Sequence, residues 1–219
     1  MPSATHRPDN DTLERLRAGA VELFAQRGFA ATGIRDIARA TGITSAAMYN
    51  YVGTKDELLA EIMRRTIEPL RDAARASIDP RSHPAEQLGN LVTLHVWWHG
   101  ERRLDTLVTD TELRSLTGDL RAGVLALRDD YEVLWRTVLA DGMKRDAFGL
   151  EQPGLAASAL IEMCTGVAHW FRPNGVLPLA DVCTLHVDWA LGLVRARRGR
   201  STVRAADLRL LDPAAVLAG

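Results

Sequence analysis

Residues 42–59 read GITSAAMYNYVGTKDELL, and two helix starts lie ten positions apart inside this stretch. Thr44 has the side chain of an N-cap, and Thr54 followed by Glu57 forms a capping box. The helix between them is too short to bury much apolar surface, yet it contains two tyrosines and an asparagine. The pattern therefore predicts a short helix whose outer face is presented to a partner molecule.

The residues before this helix have the spacing of two further helices. Apolar side chains at intervals of three and four predict a first helix that ends at Gly28. They are Leu13, Leu16, Ala20, Leu23 and Phe24. Thr32 is expected to cap a second, shorter helix that ends at the Thr41-Gly42 turn. Its inward residues are Ile34, Ile37 and Ala38. Two short helices joined by a tight turn predict a helix-turn-helix unit, whose second helix enters the major groove of DNA.

The third helix offers small and polar side chains to such a groove. Ser45 can hydrogen-bond a base edge, and the methyl group of Ala46 can touch a thymine methyl. Tyr49 lies one turn further along the same face. Met48 and Val52 fall on the opposite face, where they are expected to pack against the first helix.

Two anion sites are predicted beside the third helix. Lys55 and the free N–H groups at the start of the fourth helix suit a DNA phosphate. Thr32 and Arg35, at the start of the second helix, form another such site. Each of these residues alone is better explained as a solvent-exposed polar side chain at a connection between helices. The whole set in this order favours DNA binding.

Composition neither supports a nucleic-acid partner nor indicates a membrane protein. The formal net charge of the 219 residues is −1, and seven basic side chains in residues 1–57 are matched by seven acidic ones. No stretch approaches the roughly 18 apolar residues of a membrane-spanning helix. The polar start MPSATHRPDNDT has neither the pattern of a secretory signal nor that of a lipid anchor. Cys164 and Cys183 lack CxxC spacing and are expected to be buried free thiols, so the sequence predicts a cytoplasmic protein.

Residues 23–59, LFAQRGFAATGIRDIARATGITSAAMYNYVGTKDELL, resemble the DNA-binding domain of the TetR/AcrR family of bacterial transcriptional regulators. The matching positions are Leu23, Phe24, Gly28, Thr32, Ile37, Ala38, Gly42, Tyr49, Tyr51, Lys55, Glu57 and Leu58. Three positions depart from the family pattern: Gly33 replaces a common hydroxyl residue, Ala46 a glycine or proline, and Val52 a phenylalanine. The resemblance implies DNA contacts for Thr32, Arg35, Thr44, Ser45, Tyr49, Asn50 and Lys55, to which the groove argument adds Ala46. For Tyr51, a phosphate contact and a packing role are both open.

The periodicity is helical almost throughout, and no convincing strand is found, so the predicted fold class is all-α. Beyond a proline-bounded break at residues 78–84, helices are expected over about 84–100, 104–116, 119–143, 154–171 and 179–198. Taken with the family's architecture, this gives an N-terminal helix-turn-helix DNA-binding domain at 1–58 and a larger helical effector-binding and dimerisation domain at 59–199. A tail with partial disorder is expected at 200–219.

An effector pocket is predicted in the larger domain, which contains all five tryptophans. An apolar cavity with a few polar groups is what a small-molecule site needs. The predicted lining residues are Leu88, Leu91, His95, Trp98, His99, Tyr131, Trp135, Met163 and Trp170. Each of them, taken alone, is explained at least as well by core packing.

His95 and His99 are spaced i, i+4 and could share a metal ion with Glu162 or His169. No cysteine partner and no HExxH pattern accompanies them, so two histidines of the pocket or core are the preferred interpretation. No metal and no cofactor are expected, and no local motif suggests catalysis.

The last two helices are expected to form a dimer. Small residues beside apolar stripes suit a four-helix bundle with a second copy of the chain, and the family places its dimer interface in the same region. The predicted interface residues are Ala159, Gly166, Leu185, Trp189, Gly192 and Leu193.

The predicted function is that of a homodimeric repressor, not an enzyme, that leaves a palindromic operator when a small amphipathic or hydrophobic effector binds. Residues 169–175, HWFRPNG, are similar to the branch of the family that senses acyl-CoA thioesters. Two alternatives remain open. One is a ligand-independent DNA-binding protein of the same fold, which a fully packed C-terminal core would favour. The other is a helical enzyme or metal protein that uses His95 and His99.

Overall fold

The computed structural model describes residues 10–217, most of which are helical. In chain order the helices are α1 (Asn10–Arg27), α2 (Ile34–Thr41), α3 (Ser45–Val52), α4 (Lys55–Ser77), α5 (Pro84–Glu101), α6 (Arg103–Thr111), α7 (Gly118–Lys144), α8 (Pro153–Thr165), α9 (Val167–Trp170), α10 (Leu179–Leu193) and α11 (Pro213–Leu217). Short 3-10 turns occur at Leu113–Ser115 and Ala205–Asp207. The all-α fold class is thus confirmed. No helix within residues 10–217 is long and apolar enough to cross a membrane.

The chain divides into two compact units. Unit 1 extends to Thr66 and also includes Leu104–Leu125, whereas unit 2 comprises Ile67–Arg103 and the chain from Ala126 onward. The predicted domain boundaries at residues 58 and 199 concern how the functions are distributed along the chain, and they stay a prediction.

Helix-terminal residues fix the turns of unit 1. Gly42 has a φ of 72°, a left-handed conformation that suits glycine and lets α2 end in a tight turn. The N–H of Ala47 donates to the Thr44 hydroxyl at 3.1 Å, which caps α3. At the start of α4 the N–H of Glu57 donates to the Thr54 hydroxyl at 3.1 Å, and the N–H of Thr54 donates to the Glu57 carboxylate at 2.7 Å. The two caps predicted from the sequence are therefore confirmed.

The predicted cap of α2 is wrong. The N-cap is Gly33, and its N–H donates to the Asp36 carboxylate at 3.1 Å. The hydroxyl of Thr32 instead donates to the carbonyl oxygen of Gly28 at 2.9 Å, and the Thr32 side chain is buried. Thr32 thus closes the end of α1, because the chain between the two helices folds back on itself.

Three predicted helices end or break earlier than their periodicity suggests. α6 ends at Thr111 and is followed by a 3-10 turn, and α10 ends at Leu193. Gly166 separates α8 from α9, so the expected helix over 154–171 is interrupted. Beyond α10 the chain forms a small hairpin that the sequence analysis missed, in which β1 (Arg197–Arg198) pairs antiparallel with β2 (Ser201–Thr202).

Unit 2 is built around α5, which is buried on nearly every face. It packs against α8, α9, α10 and α11. His83 caps its start by accepting from the N–H of Ala85 at 3.2 Å, and Pro84 occupies the first helical position. The rest of the core comes from the second part of α7 and the apolar faces of α8 and α10.

The described part of the tail packs onto this core, contrary to the expected disorder. Leu208, Leu210 and Leu211 lie against the apolar cluster, and the N–H of Leu211 donates to the Asn90 side chain at 3.1 Å. A Cβ at Gly89 would lie 2.6 Å from a methyl carbon of Leu210, so the tail approaches α5 closely there and a larger residue would shift that leucine. In the sequence, the leucines among the arginines of this segment were the signal that it packs onto a core.

Candidate functional site

The outer face of α3 is free to meet a partner. Tyr49 is 56% exposed, Ala46 and Asn50 are also exposed, and Ser45 is half-buried. Met48, on the inner face, is fully buried. The outer face thus offers hydrogen-bonding groups and a methyl group, which are the groups that read base edges in a major groove.

Arg35 is exposed on the first turn of α2. Its side chain forms no ion pair with any acid of the described residues, whereas Arg39 lies 3.5 Å from Asp36. Thr44 is exposed as well. The geometry therefore leaves Arg35 and Thr44 accessible beside α3, and their contact with DNA stays a prediction.

Lys55 faces inward, although the sequence analysis assigned it to a DNA phosphate. Its Nζ lies 2.9 Å from the carbonyl oxygen of Phe29 and 2.9 Å from that of Thr32. The same ammonium lies 4.0 Å from the centre of the Phe29 ring. Both carbonyls accept from a positive donor, so these bonds are of the stronger, charge-assisted kind.

Glu112 holds the backbone of Phe29 through its N–H group, whereas Lys55 contacts its carbonyl oxygen and ring. Its carboxylate accepts from the N–H of Phe29 at 3.1 Å and from the Ser115 hydroxyl at 2.9 Å. We refer to Phe29, Lys55 and Glu112 as the Phe29 clamp. The clamp fixes the connection between α1 and α2, on which the position of the helix-turn-helix depends.

Thr32 and Lys55 thus make contacts within the chain, and their phosphate contacts stay a prediction. The Thr32 side chain is 2% exposed, and the ammonium of Lys55 is engaged by carbonyl oxygens. Sequence reasoning missed Glu112 because no local pattern links it to Phe29, 83 positions earlier.

In unit 2, four polar side chains meet in the apolar core. The Nδ1 atom of His95 lies 2.9 Å from the Tyr131 hydroxyl, and its Nε2 atom lies 3.0 Å from the Thr165 hydroxyl. His99 donates from Nδ1 to the backbone oxygen of His95 at 2.8 Å, and the two imidazole rings stack with centroids 4.1 Å apart. We call His95, His99, Tyr131 and Thr165 the His95 cluster. Thr165 was missed, although a threonine in the apolar run of α8 was a visible signal.

Most of the predicted pocket residues come together around this cluster. Leu88, Leu91 and Trp135 among them are fully buried. Trp98 is buried as well, and Met163 packs at the edge of the core. In this conformation, no open cavity reaches Leu88, Leu91 or Trp135.

Trp170 lies apart from the predicted pocket. It is about half exposed, and its ring stacks near that of His186 with centroids 6.3 Å apart. Within residues 10–217, no three His, Cys, Asp or Glu side chains come together as metal ligands would. Both ring nitrogens of His95 already have hydroxyl partners. This geometry gives no support to a metal shared by His95 and His99.

Burial sets the ionisation of the cluster. It lowers the pKa of His95 well below its usual value and that of His99 to about 4, so both rings are neutral at pH 7. Burial also raises the pKa of Tyr131 and of the Cys164 and Cys183 thiols. Both cysteines are buried and free, as predicted.

The free energy of unfolding is expected to fall between pH 7 and pH 5. A histidine that is neutral in the folded state takes up a proton near pH 6.5 only after unfolding, so the unfolded state binds more protons and gains stability as pH falls. With a folded pKa of about 4, His99 alone accounts for about 2 kcal/mol at pH 5. Urea titrations at both pH values measure this loss.

His99→Gln keeps a donor for the backbone oxygen of His95 and removes the titration, so it should show a smaller pH dependence. The exposed His169 provides the matched control, and His169→Gln should follow the wild type. If the stability of His99→Gln depends on pH as strongly as that of the wild type, the loss of stability at pH 5 does not come from the buried His99.

The predicted dimer face is largely exposed. Trp189 is 53% and Leu193 is 44% exposed, and Leu185 and Ala159 are also open to solvent. A Cβ at Gly192 would meet no atom within 4 Å. Gly166, between α8 and α9, is only partly exposed. Apolar side chains of this size on a surface are typical of a face that another molecule covers, and the dimer interface stays a prediction.

Known proteins share both halves of this arrangement. A family model described as "Bacterial regulatory proteins, tetR family" matches residues 16–62, and one described as "Tetracyclin repressor-like, C-terminal domain" matches residues 81–194. The HTH-type transcriptional repressor KstR2 of Mycobacterium tuberculosis is 26% identical over 175 residues, which are 79% of this chain and 88% of that protein.

Solved structures have the same fold. A regulatory protein of the tetR family from Rhodococcus RHA1 superposes with a TM-score of 0.80 at 27% identity, over 85% of this chain and 98% of that one. AibR, in complex with isovaleryl coenzyme A and operator DNA, gives a TM-score of 0.74 at 20% identity, over 81% of this chain and 97% of that one.

An exposed α3 on a helix-turn-helix, followed by a larger helical unit, defines a DNA-binding transcriptional regulator. The chain belongs to the TetR family of bacterial regulatory proteins.

Proposed function

We propose that the protein is a cytoplasmic, homodimeric repressor that binds a near-palindromic operator through α3 and is not an enzyme. The observation that carries this proposal is the outer face of α3, where Ala46, Tyr49 and Asn50 are exposed above the buried Met48. The relative KstR2 is named a transcriptional repressor, which supports repression over activation.

The dimer is supported by the apolar surface of α8 and α10. The side chains of Leu185, Trp189 and Leu193 stay partly exposed in the single chain, and a second copy would cover them. A two-fold dimer places two recognition helices on successive turns of one face of the duplex, which accounts for a palindromic operator.

We propose further that a small amphipathic or hydrophobic effector binds beside the His95 cluster and releases the operator. The cluster supplies the few polar groups that a mostly apolar site needs for orientation. An acyl-CoA thioester is the ligand class proposed, on the resemblance of residues 169–175. The AibR complex supports only that this fold can hold an acyl-CoA and operator DNA together.

Binding there requires the core to open. Because Leu88, Leu91 and Trp135 are fully buried, an acyl chain must displace side chains that now touch each other. The effector then stabilises the open state of unit 2. Its effect on operator affinity is limited by how much more tightly the effector binds the open state than the closed state.

The closed core also favours a second candidate function. A protein whose unit 2 stays packed would bind DNA without an effector, as the ligand-independent alternative requires. The two candidates differ in one measurement, which is the response of operator affinity to small apolar ligands.

The test begins with a footprint on the DNA that flanks the protein's own gene, repeated with a panel of acyl-CoA esters. Ala46→Glu provides a DNA-blind control, since it places a negative charge on the exposed face of α3. A footprint that the wild type gives and the control lacks supports the α3 assignment. If no ester in the panel shifts the footprint, the ligand-independent function replaces the effector-controlled one.

Tyr131→Phe is expected to raise the effector concentration needed for release by about three- to tenfold, which corresponds to one lost hydrogen bond. Release of a labelled operator, followed by fluorescence anisotropy, measures the change. Thr165→Val should act in the same direction because it removes the other hydroxyl partner of His95.

Thr184→Val is the matched control for these two variants. Thr184 is exposed on α10, and its hydroxyl bonds only to its own helix, at the Ala180 oxygen. A wild-type response in Tyr131→Phe and Thr165→Val would place the effector site elsewhere.

A further inference from the structure

The segment that follows α10 carries the densest positive charge of the chain. Residues 195–204 read RARRGRSTVR, with five arginines, and no acidic residue occurs between Asp188 and Asp207. In the structure this segment forms the β1–β2 ribbon, with Arg197 opposite Thr202 and Arg198 opposite Ser201. Gly199 makes the turn with a φ of 63°. We call residues 195–204 the arginine hairpin.

The hairpin is anchored to unit 2 through its backbone. The N–H of Arg197 donates to the Ala147 oxygen at 2.8 Å, and the N–H of Val203 donates to the Ala196 oxygen at 3.1 Å. Ala196 and Val203 are buried, and the N–H of Ala205 just beyond donates to the Asp188 carboxylate at 2.8 Å. The guanidinium groups therefore extend from a fixed ribbon and not from a loose chain end.

The arginine side chains of the hairpin are exposed and have no acidic partner. Within residues 10–217, none of them forms a hydrogen bond or an ion pair through its guanidinium group, although Asp146 and Glu151 belong to the neighbouring connection. The five are Arg195, Arg197, Arg198, Arg200 and Arg204. Elsewhere in unit 2, by contrast, Arg136 pairs with Glu132 on α7, and Arg145, just beyond α7, pairs with Asp141.

The chemistry of the hairpin points to phosphate. Guanidinium groups match phosphate oxygens in a bidentate geometry, and several of them on one surface suit a regular row of phosphates. The exposed residues of the hairpin include no aromatic or large apolar side chain. It therefore lacks the stacking platform of a single-strand binder and the apolar anchor of a membrane-surface segment. A two-stranded ribbon is also an element that a DNA groove admits.

We propose that the arginine hairpin is a second contact site for duplex DNA, which binds the sugar–phosphate backbone independently of sequence. It lies in unit 2, whereas the outer face of α3 lies in unit 1. This site raises affinity for any duplex and leaves the choice of operator to α3.

The test uses the full chain and a 40-bp duplex of arbitrary sequence. Replacing Arg197, Arg198 and Arg200 by Ser should weaken binding at least tenfold at low salt and reduce the salt slope by up to nearly three units per chain, about 0.9 for each lost phosphate contact. The triple Lys variant keeps the charges and should stay within about threefold of wild type.

A charge-matched control replaces Arg75, Arg114 and Arg121 by Ser, since these arginines are also exposed. Binding by this control should equal that of the wild type. The proposal is overturned if the hairpin and control variants bind the duplex equally well. It is also overturned if the hairpin variant loses binding only to vesicles of phosphatidylglycerol, since the surface would then serve a membrane.

Discussion

Gly192→Arg is expected to be monomeric at micromolar concentration and to bind operator DNA at least a hundredfold more weakly than the wild type. Gly192 is exposed beside Trp189 and Leu193, and a Cβ there would meet nothing within 4 Å. An arginine therefore fits the folded monomer but places a charge inside the proposed two-fold interface. A lone helix-turn-helix loses the second half-site, and with it the gain from simultaneous contact.

Sedimentation velocity and a gel-shift titration measure the two effects. Gly123→Arg is the matched control, because Gly123 is exposed on α7 and its Cβ would also meet nothing within 4 Å. That variant should remain dimeric and bind normally. A wild-type protein that sediments as a monomer at micromolar concentration would end the dimer proposal.

Lys55→Met is expected to lower the free energy of unfolding of unit 1 by about 2–3 kcal/mol. The variant keeps the length of the side chain but removes two charge-assisted hydrogen bonds to the Phe29 and Thr32 oxygens. The salt slope of operator binding should stay unchanged, because two carbonyl oxygens of the chain already engage the ammonium. Urea denaturation followed by tyrosine and circular dichroism signals measures the loss.

Lys144→Met is the control, since Lys144 is exposed at the end of α7. Glu112→Gln should destabilise unit 1 less than Lys55→Met, because an amide oxygen can still accept from the N–H of Phe29. A Lys55→Met variant of normal stability whose salt slope falls by about one unit would restore the phosphate contact predicted from the sequence.

Local sequence signals were enough to predict the helix-turn-helix. The caps at Thr44 and Thr54 and the inward position of Met48 depend on neighbours within a few residues, and the structure has all three. The cap of α2 was misassigned because Thr32 could satisfy either the start of α2 or the end of α1. Only the path of the chain between the helices decides that choice.

The site could be predicted only in part, since its decisive contacts join distant positions. The inward direction of Lys55 depends on Phe29, which is itself held by Glu112. The His95 cluster requires Tyr131 and Thr165, 36 and 70 positions further along the chain. Helical periodicity places each residue on a face but does not state which faces meet, so the lining was predicted without its closed packing.

The position of the tail on α5 bears on how long the folded state survives. Leu211 contacts Asn90 across 121 positions of sequence. The chain loses the conformational entropy of closing this long loop before the contact contributes any stability. We therefore expect the tail to dock late in folding, after α5 and α10 have met. Weakening it, as in Leu210→Ala, should accelerate unfolding and leave the folding rate nearly unchanged. In that case the segment sets the lifetime of unit 2 and not the speed at which it forms.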